Sequence, residues 1–176
     1  DFHTLNVGSI HAYKGRYKEA HRLFKSVQLG PEEGLLKIHF LQSQAENFRY
    51  QGKLDQSLVR WYEALKLSEE IADSSEIVDS YLGRGIVRFL RDEINKAESD
   101  IQVFYKYYSR VGHEKKMAFG LSLTGLVDYQ NGNYELSIER NLESYDIRLR
   151  INDLKGQGER LNNLALGYMG LKNWNQ

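Results

Sequence analysis

The chain has 176 residues, with 24 basic and 24 acidic side chains, one proline and no cysteine. The lack of cysteine excludes disulfide bonds, thiolate catalysis and sulfur-based zinc sites. The balanced charge disfavours nucleic-acid binding, which usually needs a basic surface. No apolar run approaches the roughly 18 residues of a membrane span. Because a single proline leaves long stretches of backbone able to stay helical, the composition favours a helical protein.

Paired helices are predicted along the whole chain. The apolar residues Leu58, Trp61 and Leu65 follow the i, i+3, i+7 spacing of a helix face and not the alternation of a strand. First helices of the pairs are expected near residues 3–14, 33–51, 75–91, 114–131 and 155–171. Second helices are expected near residues 17–29, 54–72, 94–111 and 134–151. Pro31 falls in a predicted connection, where it interrupts no helix.

A short pattern recurs at intervals of 37 or 40 residues. A glycine or polar residue, which ends one helix, is followed by a large apolar residue at Tyr17, Leu54, Ile94, Tyr134 and Trp174. Small residues that let two helices approach closely recur upstream, at Gly8, Ala45, Gly85, Gly125 and Ala165. The fourth copy departs from the pattern in its second helix, where Asn141 and Ser144 replace apolar residues. The pattern predicts a helix–turn–helix repeat.

These residues resemble the tetratricopeptide repeat (TPR), in the subclass with long repeats of about 40 residues that occurs in kinesin light chains and bacterial signalling proteins. The segment from Tyr145 to Ala165 is similar to the bacterial version. The resemblance implies an all-α, right-handed superhelical solenoid of antiparallel helix pairs, with about four and a half repeats. We expect one solenoid fragment over residues 1–176, with repeats at about 1–32, 33–73, 74–113, 114–153 and a truncated 154–176.

Candidate catalytic and metal-binding motifs are incomplete. Gly83-Arg84-Gly85 lacks the third glycine of a dinucleotide-binding loop and follows no strand, so a helix contact is the favoured interpretation of Gly85. His113-Glu114 lacks the second histidine of a metalloprotease helix, because residue 117 is Met, and His113 is expected in a solvated loop. We therefore expect no enzymatic activity, no metal site and no cofactor.

The resemblance places partner binding on the concave surface that first helices line. The groove residues expected from this mapping are Glu46, Arg49, Tyr50, Ile86, Phe89, Leu90, Leu126, Tyr129, Gln130, Asn162 and Asn163, together with Leu166 and Met169. Ile86, Phe89, Leu126 and Tyr129 are expected to form one apolar patch with aromatic anchors. Packing of the long helices against their neighbours is the alternative explanation of these four residues. Asn6 and Asn163 match an asparagine that binds the ligand backbone in the peptide-sensing subclass, but the middle repeats have Ser43, Gly83 and Leu123 at this position. This departure disfavours a long extended-peptide clamp and leaves a short apolar segment or an amphipathic helix as the expected ligand.

The expected function is a non-enzymatic protein–protein or peptide interaction module, with a regulatory or scaffolding role in a larger bacterial signalling protein. Neither nucleic acid nor membrane is an expected partner, and a cytoplasmic location is the favoured expectation. The alternative is a ligand- or peptide-sensing domain that controls an attached transcription regulator or nucleotide cyclase, with Glu46, Arg49, Gln130 and Asn162 as converging polar groups. A third hypothesis is self-association through the last first helix, because no second helix would cover its Leu161, Leu164, Leu166 and Leu171.

Overall fold

The computed structural model describes residues 2–27, 30 and 33–174, and the side chains of residues 3–27, 30 and 33–172. This part of the chain contains nine α-helices and no strand. Their bounds are α1 (Phe2–Tyr13), α2 (Tyr17–Ser26), α3 (Gly34–Tyr50), α4 (Leu54–Glu70), α5 (Ser74–Leu90), α6 (Ile94–Arg110), α7 (Glu114–Gln130), α8 (Tyr134–Arg150) and α9 (Leu154–Trp174). Pro31 lies outside the described residues.

Each helix begins within one residue of its predicted start, which confirms the all-α prediction. Two ends differ from the prediction by three residues, and the others differ by one or two. Helix α2 ends at Ser26, three residues before the predicted position 29, and α9 continues to Trp174, three residues beyond the predicted 171.

One turn geometry joins consecutive helices from α3 to α9. Each helix from α3 to α8 has 17 residues and is followed by a three-residue turn. The middle residue of each turn has a positive φ, at Gly52, Ala72, Asp92, Gly112, Gly132 and Asn152. The next N–H then bonds to a carbonyl five residues back, as in Asn133 N to Asp128 O at 2.9 Å. The 40-residue spacing is therefore two 20-residue halves with equivalent turns.

The helices form two compact units, Asp1–Glu93 and Ile94–Gln176. In the first unit, α1 to α5 enclose two apolar clusters, one around Phe24 and one around Trp61. Two glycines make room for these aromatic rings. A Cβ at Gly8 would lie 2.5 Å from Phe24 Cε1, and a Cβ at Gly83 would overlap the indole of Trp61. The predicted close approach at Gly8 is therefore present.

In the second unit, buried polar side chains contribute to the packing of α7, α8 and α9. Asn141 and Ser144, which break the apolar pattern of the repeat, are both fully buried. The Asn141 amide donates to Ser137 O at 2.8 Å, and Ser144 Oγ donates to Ala118 O at 2.7 Å. Buried polar side chains are tolerated when they are hydrogen-bonded. At Ala165 the expected close approach is not seen, because this residue is exposed on α9.

Candidate partner-binding surfaces

The first helices of the first unit share one polar surface. Helix α3 contacts both α1 and α5, which places residues of three first helices side by side. Ser9 Oγ lies 3.2 Å from Ser43 Oγ, and Gln42 Nε2 donates to Glu76 Oε2 at 2.8 Å. His39 Nε2 lies 3.4 Å from the other Glu76 oxygen. These side-chain contacts therefore link α3 to α1 and to α5.

A charged and aromatic cluster lies on the same first helices. Arg49 Nε donates to both oxygens of Glu46, at 3.1 and 3.2 Å. The Arg49 guanidinium also covers the ring of Tyr50, 4.4 Å from its centroid, and the Tyr13 ring meets that ring edge-on at 5.7 Å. Glu46, Arg49 and Tyr50, three of the predicted groove residues, are therefore in mutual contact, and their role in binding stays a prediction. Tyr13, which is 68% exposed, extends the cluster toward solvent.

Burial and the charge of Glu46 shift the pKa values of Arg49 and Tyr50 in this cluster. Burial lowers the pKa of Arg49, but the hydrogen bonds and negative charge of Glu46 outweigh this effect and the pKa is raised. Burial, followed by the Glu46 charge, raises the pKa of the Tyr50 hydroxyl. Arg49 is therefore cationic and Tyr50 neutral at physiological pH. A ligand at this cluster would meet an internally paired cation and two aromatic rings.

The four residues of the predicted apolar patch belong to different units. Ile86 and Phe89 are half-buried on α5 of the first unit, and Leu90 beside them is 51% exposed. Leu126 and Tyr129 are half-buried on α7 of the second unit. The joint patch of these four residues stays a prediction.

An apolar surface with a polar margin lies on α7 and α9, the two first helices of the second unit. These helices contact each other, and Leu126 and Tyr129 occupy the repeat positions that Leu166 and Met169 occupy on α9. Leu166 is 42% and Met169 61% exposed. The exposed Gln130 and Asn162 lie on the same two helices. We call Leu126, Tyr129, Leu166 and Met169 the α7–α9 surface.

Tyr129 of the α7–α9 surface and the predicted groove residue Asn163 both contact side chains of α8. The Tyr129 ring lies 5.5 Å from the ring of Tyr134 on α8, and a Cβ at Gly170 on α9 would lie 2.6 Å from that same Tyr134 ring. Tyr129 is thus fixed by packing. The Asn163 amide donates to Asn141 Oδ1 at 3.2 Å, so this predicted groove residue joins α9 to α8.

The motifs set aside on sequence grounds have structural roles. Gly83-Arg84-Gly85 lies buried inside α5, as expected of a helix contact and not of a phosphate-binding loop. His113 is exposed, as expected, and its Nδ1 caps α7 by accepting from Lys116 N at 3.4 Å. Among the described residues, no group of three or more acidic, histidine or cysteine side chains is placed to hold a metal ion. Within the same residues, no helix is both long and apolar enough to cross a membrane.

Sequence reasoning missed the buried charges of the second unit. Asp128 is 4%, Arg148 4% and Arg160 6% exposed. Charged residues in helices usually lie on solvated faces, so composition and periodicity give no signal for their burial. Spacing alone could have shown that Arg148 and Asp153 bracket a turn, but not that Arg148 is buried.

Comparison with known proteins supports the fold. No protein-family model matches the sequence, and no curated protein matches it. BtubC (BKLC) from P. vanneervenii is similar in structure, with a TM-score of 0.78 and 14% identity over 96% of this chain and 71% of that one. A Pyrococcus horikoshii signal transduction ATPase with numerous domains, which has a tetratricopeptide repeat sensor, matches with a TM-score of 0.77 and 14% identity. That match covers 94% of this chain and 26% of the ATPase.

A third similar structure is a Podosopora anserina protein described as a kinesin light chain with nearly identical TPR-like repeats. It matches with a TM-score of 0.71 and 10% identity, over 97% of this chain and 86% of that one. At these identities the likeness concerns the fold. The helix pairs, their turns and these three neighbours together show that the chain has the fold of the TPR-like repeat proteins.

Proposed function

We propose that the chain is a non-enzymatic interaction module that binds a protein or peptide segment on the α7–α9 surface. The observation that carries this proposal is the exposure of Leu166 and Met169 on α9, which packs against the helix α7 that bears Leu126 and Tyr129. Solvent-exposed large apolar side chains that gather on one face, with polar groups at the margin, are typical of recognition surfaces. The role we favour is regulatory or scaffolding, in a larger bacterial signalling protein.

The energetics favour a short apolar or amphipathic segment as partner. Burying a Leu or Met side chain fully is worth about 1.5–3 kcal/mol, so covering the exposed parts of Leu166 and Met169 would supply a useful share of the affinity. Tyr129 loses little conformational entropy on binding, because Tyr134 already fixes its ring. Gln130 and Asn162 offer donors and acceptors for the backbone of the bound segment.

A peptide-display experiment tests the proposal. Peptides selected from a random display library against the whole chain would be synthesised, labelled and titrated by fluorescence anisotropy. The double variant Leu166→Ser/Met169→Ser should weaken their binding at least about tenfold, because it removes apolar contacts from exposed positions without disturbing the core.

The matched control is Leu142→Ser/Leu149→Ser, which removes two exposed apolar side chains from the second helix α8. This control should bind within about twofold of the unchanged chain. Equal binding by the unchanged chain and the α9 double variant would contradict the assignment.

A sensor function is the second candidate, and the Glu46–Arg49–Tyr50 cluster of the first unit favours it. This cluster offers a cation, a carboxylate and aromatic faces within one site. A thermal-shift screen of amino acids, short peptides and metabolites would show stabilisation that Arg49→Met abolishes. An output domain such as a transcription regulator or nucleotide cyclase would then read the bound state.

Self-association is a third candidate, carried by a different face of α9. Leu154, Leu161 and Tyr168 are exposed at 72%, 55% and 54%, and their spacing of seven residues places them on one stripe with Ala165. Light scattering between low and high micromolar concentration should show a mass increase that Leu161→Glu removes. A constant monomer mass would exclude it.

A further inference from the structure

A basic cavity lies in the second unit, away from the α7–α9 surface. Its volume is about 480 Å³, and it opens between the first turn of α7 and the junction of α8 with α9. Four of its lining residues are cationic, Lys115, Lys116, Arg148 and Lys155, and two are anionic, Asp153 and Glu159. In a chain whose net charge is zero, this local excess of positive charge indicates a preference for an anion.

One arginine of the cavity is buried and incompletely bonded. The Arg148 side chain is 5% exposed, and its Nη1 donates to Asp153 Oδ2 at 2.5 Å. Its Nε is buried and has no hydrogen-bond partner among the described residues. Gly156 allows this placement, because a Cβ there would overlap Arg148 Nη1. The backbone thus admits a guanidinium into the cavity wall and leaves one of its donors unfilled.

A second buried arginine has fewer partners than Arg148. Arg160 on α9 is 6% exposed, and its Nε and Nη1 have no partner among the described residues. Within the described part of the chain, Arg160 forms one ion pair, between its Nη2 and Glu159 Oε2 at 3.5 Å. Burial, and then the nearby charge of Arg148, lower its pKa. The two buried guanidiniums therefore have Asp153 and Glu159 as their counter-charges. Burying two cations in this way is costly unless a further anion compensates them.

The helix packing itself does not require these arginines. The residues 80 positions earlier, at the junction of α4 with α5 in the first unit, are Ser68 and Ser80. Both are fully buried, and Ser68 Oγ donates to Ala64 O at 2.8 Å. The same junction of the repeat therefore packs with two small neutral side chains. The arginines of the second unit introduce charge where the fold needs none.

We propose that this cavity binds a small phosphate ester, with the phosphate group held by Arg148, Lys115 and Lys155. A tetrahedral dianion can accept from several donors at once, and a guanidinium is well suited to phosphate. The N-terminal ends of α7 and α9 both lie at the cavity and add positive partial charge. Because the cavity is much larger than a phosphate ion, and the half-buried Phe119 lines it, the ester carries an organic group such as a sugar or nucleoside.

Calorimetric titration of the whole chain at constant ionic strength tests the site. The probes are inorganic phosphate, glucose 6-phosphate and AMP, with glucose and adenosine as neutral arms. The esters should bind, inorganic phosphate should bind more weakly, and the neutral compounds should give no heat. Heat from the neutral compounds equal to that from the esters would overturn the assignment of the phosphate contacts.

The variant Lys115→Gln/Lys155→Gln should weaken ester binding about tenfold or more, because it removes two charges at the cavity and both side chains are exposed. The control Lys106→Gln/Lys172→Gln changes the net charge equally at exposed positions outside the cavity lining. It should bind within about twofold of the unchanged chain. No binding of any phosphate probe up to about 10 mM, or equal loss in both variants, would overturn the proposal. The double variant Leu166→Ser/Met169→Ser should keep ester binding, which separates this site from the partner-binding surface.

Discussion

Ser137 donates its hydroxyl to the carbonyl oxygen of Gly125 at 2.7 Å, and this bond fixes α8 against α7. The first unit repeats the contact, with Ser57 Oγ donating to Ala45 O at 2.8 Å over the same separation of 12 residues. In each case a small residue on the first helix exposes its carbonyl to the second helix. The repeat thus joins its two helices by a side-chain bond as well as by apolar contact.

Replacing Ser137 with Ala should lower the free energy of unfolding by about 1 kcal/mol, because a buried hydrogen bond is lost. Urea denaturation followed by circular dichroism measures the change. Ser99→Ala is the control, since Ser99 makes a similar bond to Asn95 O at an exposed position. Its effect should stay below about 0.5 kcal/mol. Equal losses in the two variants would show that the contact between α7 and α8 adds nothing.

The turns give a second prediction with opposite signs at equivalent positions. Ala72 has a φ of 56°, where a Cβ is strained, and Ala72→Gly should raise the free energy of unfolding by about 0.5–1 kcal/mol. Gly52 has a φ of 71° and open space around it, so Gly52→Ala should lower stability by about 1 kcal/mol through backbone strain alone. Thermal unfolding of both variants measures the pair. A change of the same sign in both would contradict the assignment of left-handed turns.

The contact of Gly83 with Trp61 gives a third prediction. Because a Cβ at Gly83 would overlap the indole, Gly83→Ala should cost about 1–3 kcal/mol and change the near-ultraviolet signal of the tryptophan. Gly158 lies in α9 with nothing near its missing Cβ. Gly158→Ala should therefore stabilise the chain by about 0.5–1 kcal/mol through helix propensity. Destabilisation by both variants would indicate that glycine matters at these sites for a reason other than space.

Asp153 should make stability depend on pH. Its bond from Gly156 N–H at 3.1 Å, and then its pairing with Arg148, hold the pKa of its carboxyl below the ordinary value of 3.8. A depressed pKa contributes stability above the ordinary value, and this contribution is lost as the pH falls through the pKa of the folded state. Asp153→Asn keeps an acceptor for Gly156 but removes the charge. It should cost about 2 kcal/mol at pH 7 and progressively less in acid.

Asp73→Asn is the matched control for this experiment. Asp73 caps α5 in the same turn position by accepting from Ser75 N and Glu76 N, each at 3.0 Å, without a buried arginine beside it. The hydroxyl of Ser75 and the N–H of Glu76 lower its pKa as well. Denaturant titrations of both variants between pH 3 and pH 7 would compare them. A loss at Asp73 as large as that at Asp153 would mean that the Arg148 pair contributes no additional stability.

Most helix starts could be predicted from the sequence because the turn residues recur in register. Gly52, Gly112 and Gly132 mark left-handed turn positions directly. Ala72, Asp92 and Asn152 adopt the same conformation without glycine, so that half of the turn pattern is invisible to a search for glycine. Asp and Asn adopt the left-handed conformation more readily than other residues with a Cβ, whereas Ala72 adopts it against its intrinsic preference.

The candidate sites were only partly predictable. Repeat mapping identified Glu46, Arg49 and Tyr50 as neighbours because helical spacing puts them on one face. It missed the bond from Asn163 to Asn141, which depends on side-chain geometry across two helices. It also missed the burial of Arg148 and Arg160, since burial of a charge depends on the void that glycine and neighbouring helices leave.

The equivalence of the turns has a consequence for how the chain avoids misregistration. Because the 20-residue halves from α3 to α8 have equal helix lengths and equivalent turns, the backbone alone does not determine whether a helix is the first or the second of its pair. A slip by one half would keep the turns between α3 and α9 while exchanging first helices for second helices. The rings of Phe24 and Trp61 lie opposite Gly8 and Gly83, where a Cβ would overlap them. In a slipped chain these rings would therefore collide with the side chains of other residues. Gly8 and Gly83 thus specify which helices pack against Phe24 and Trp61.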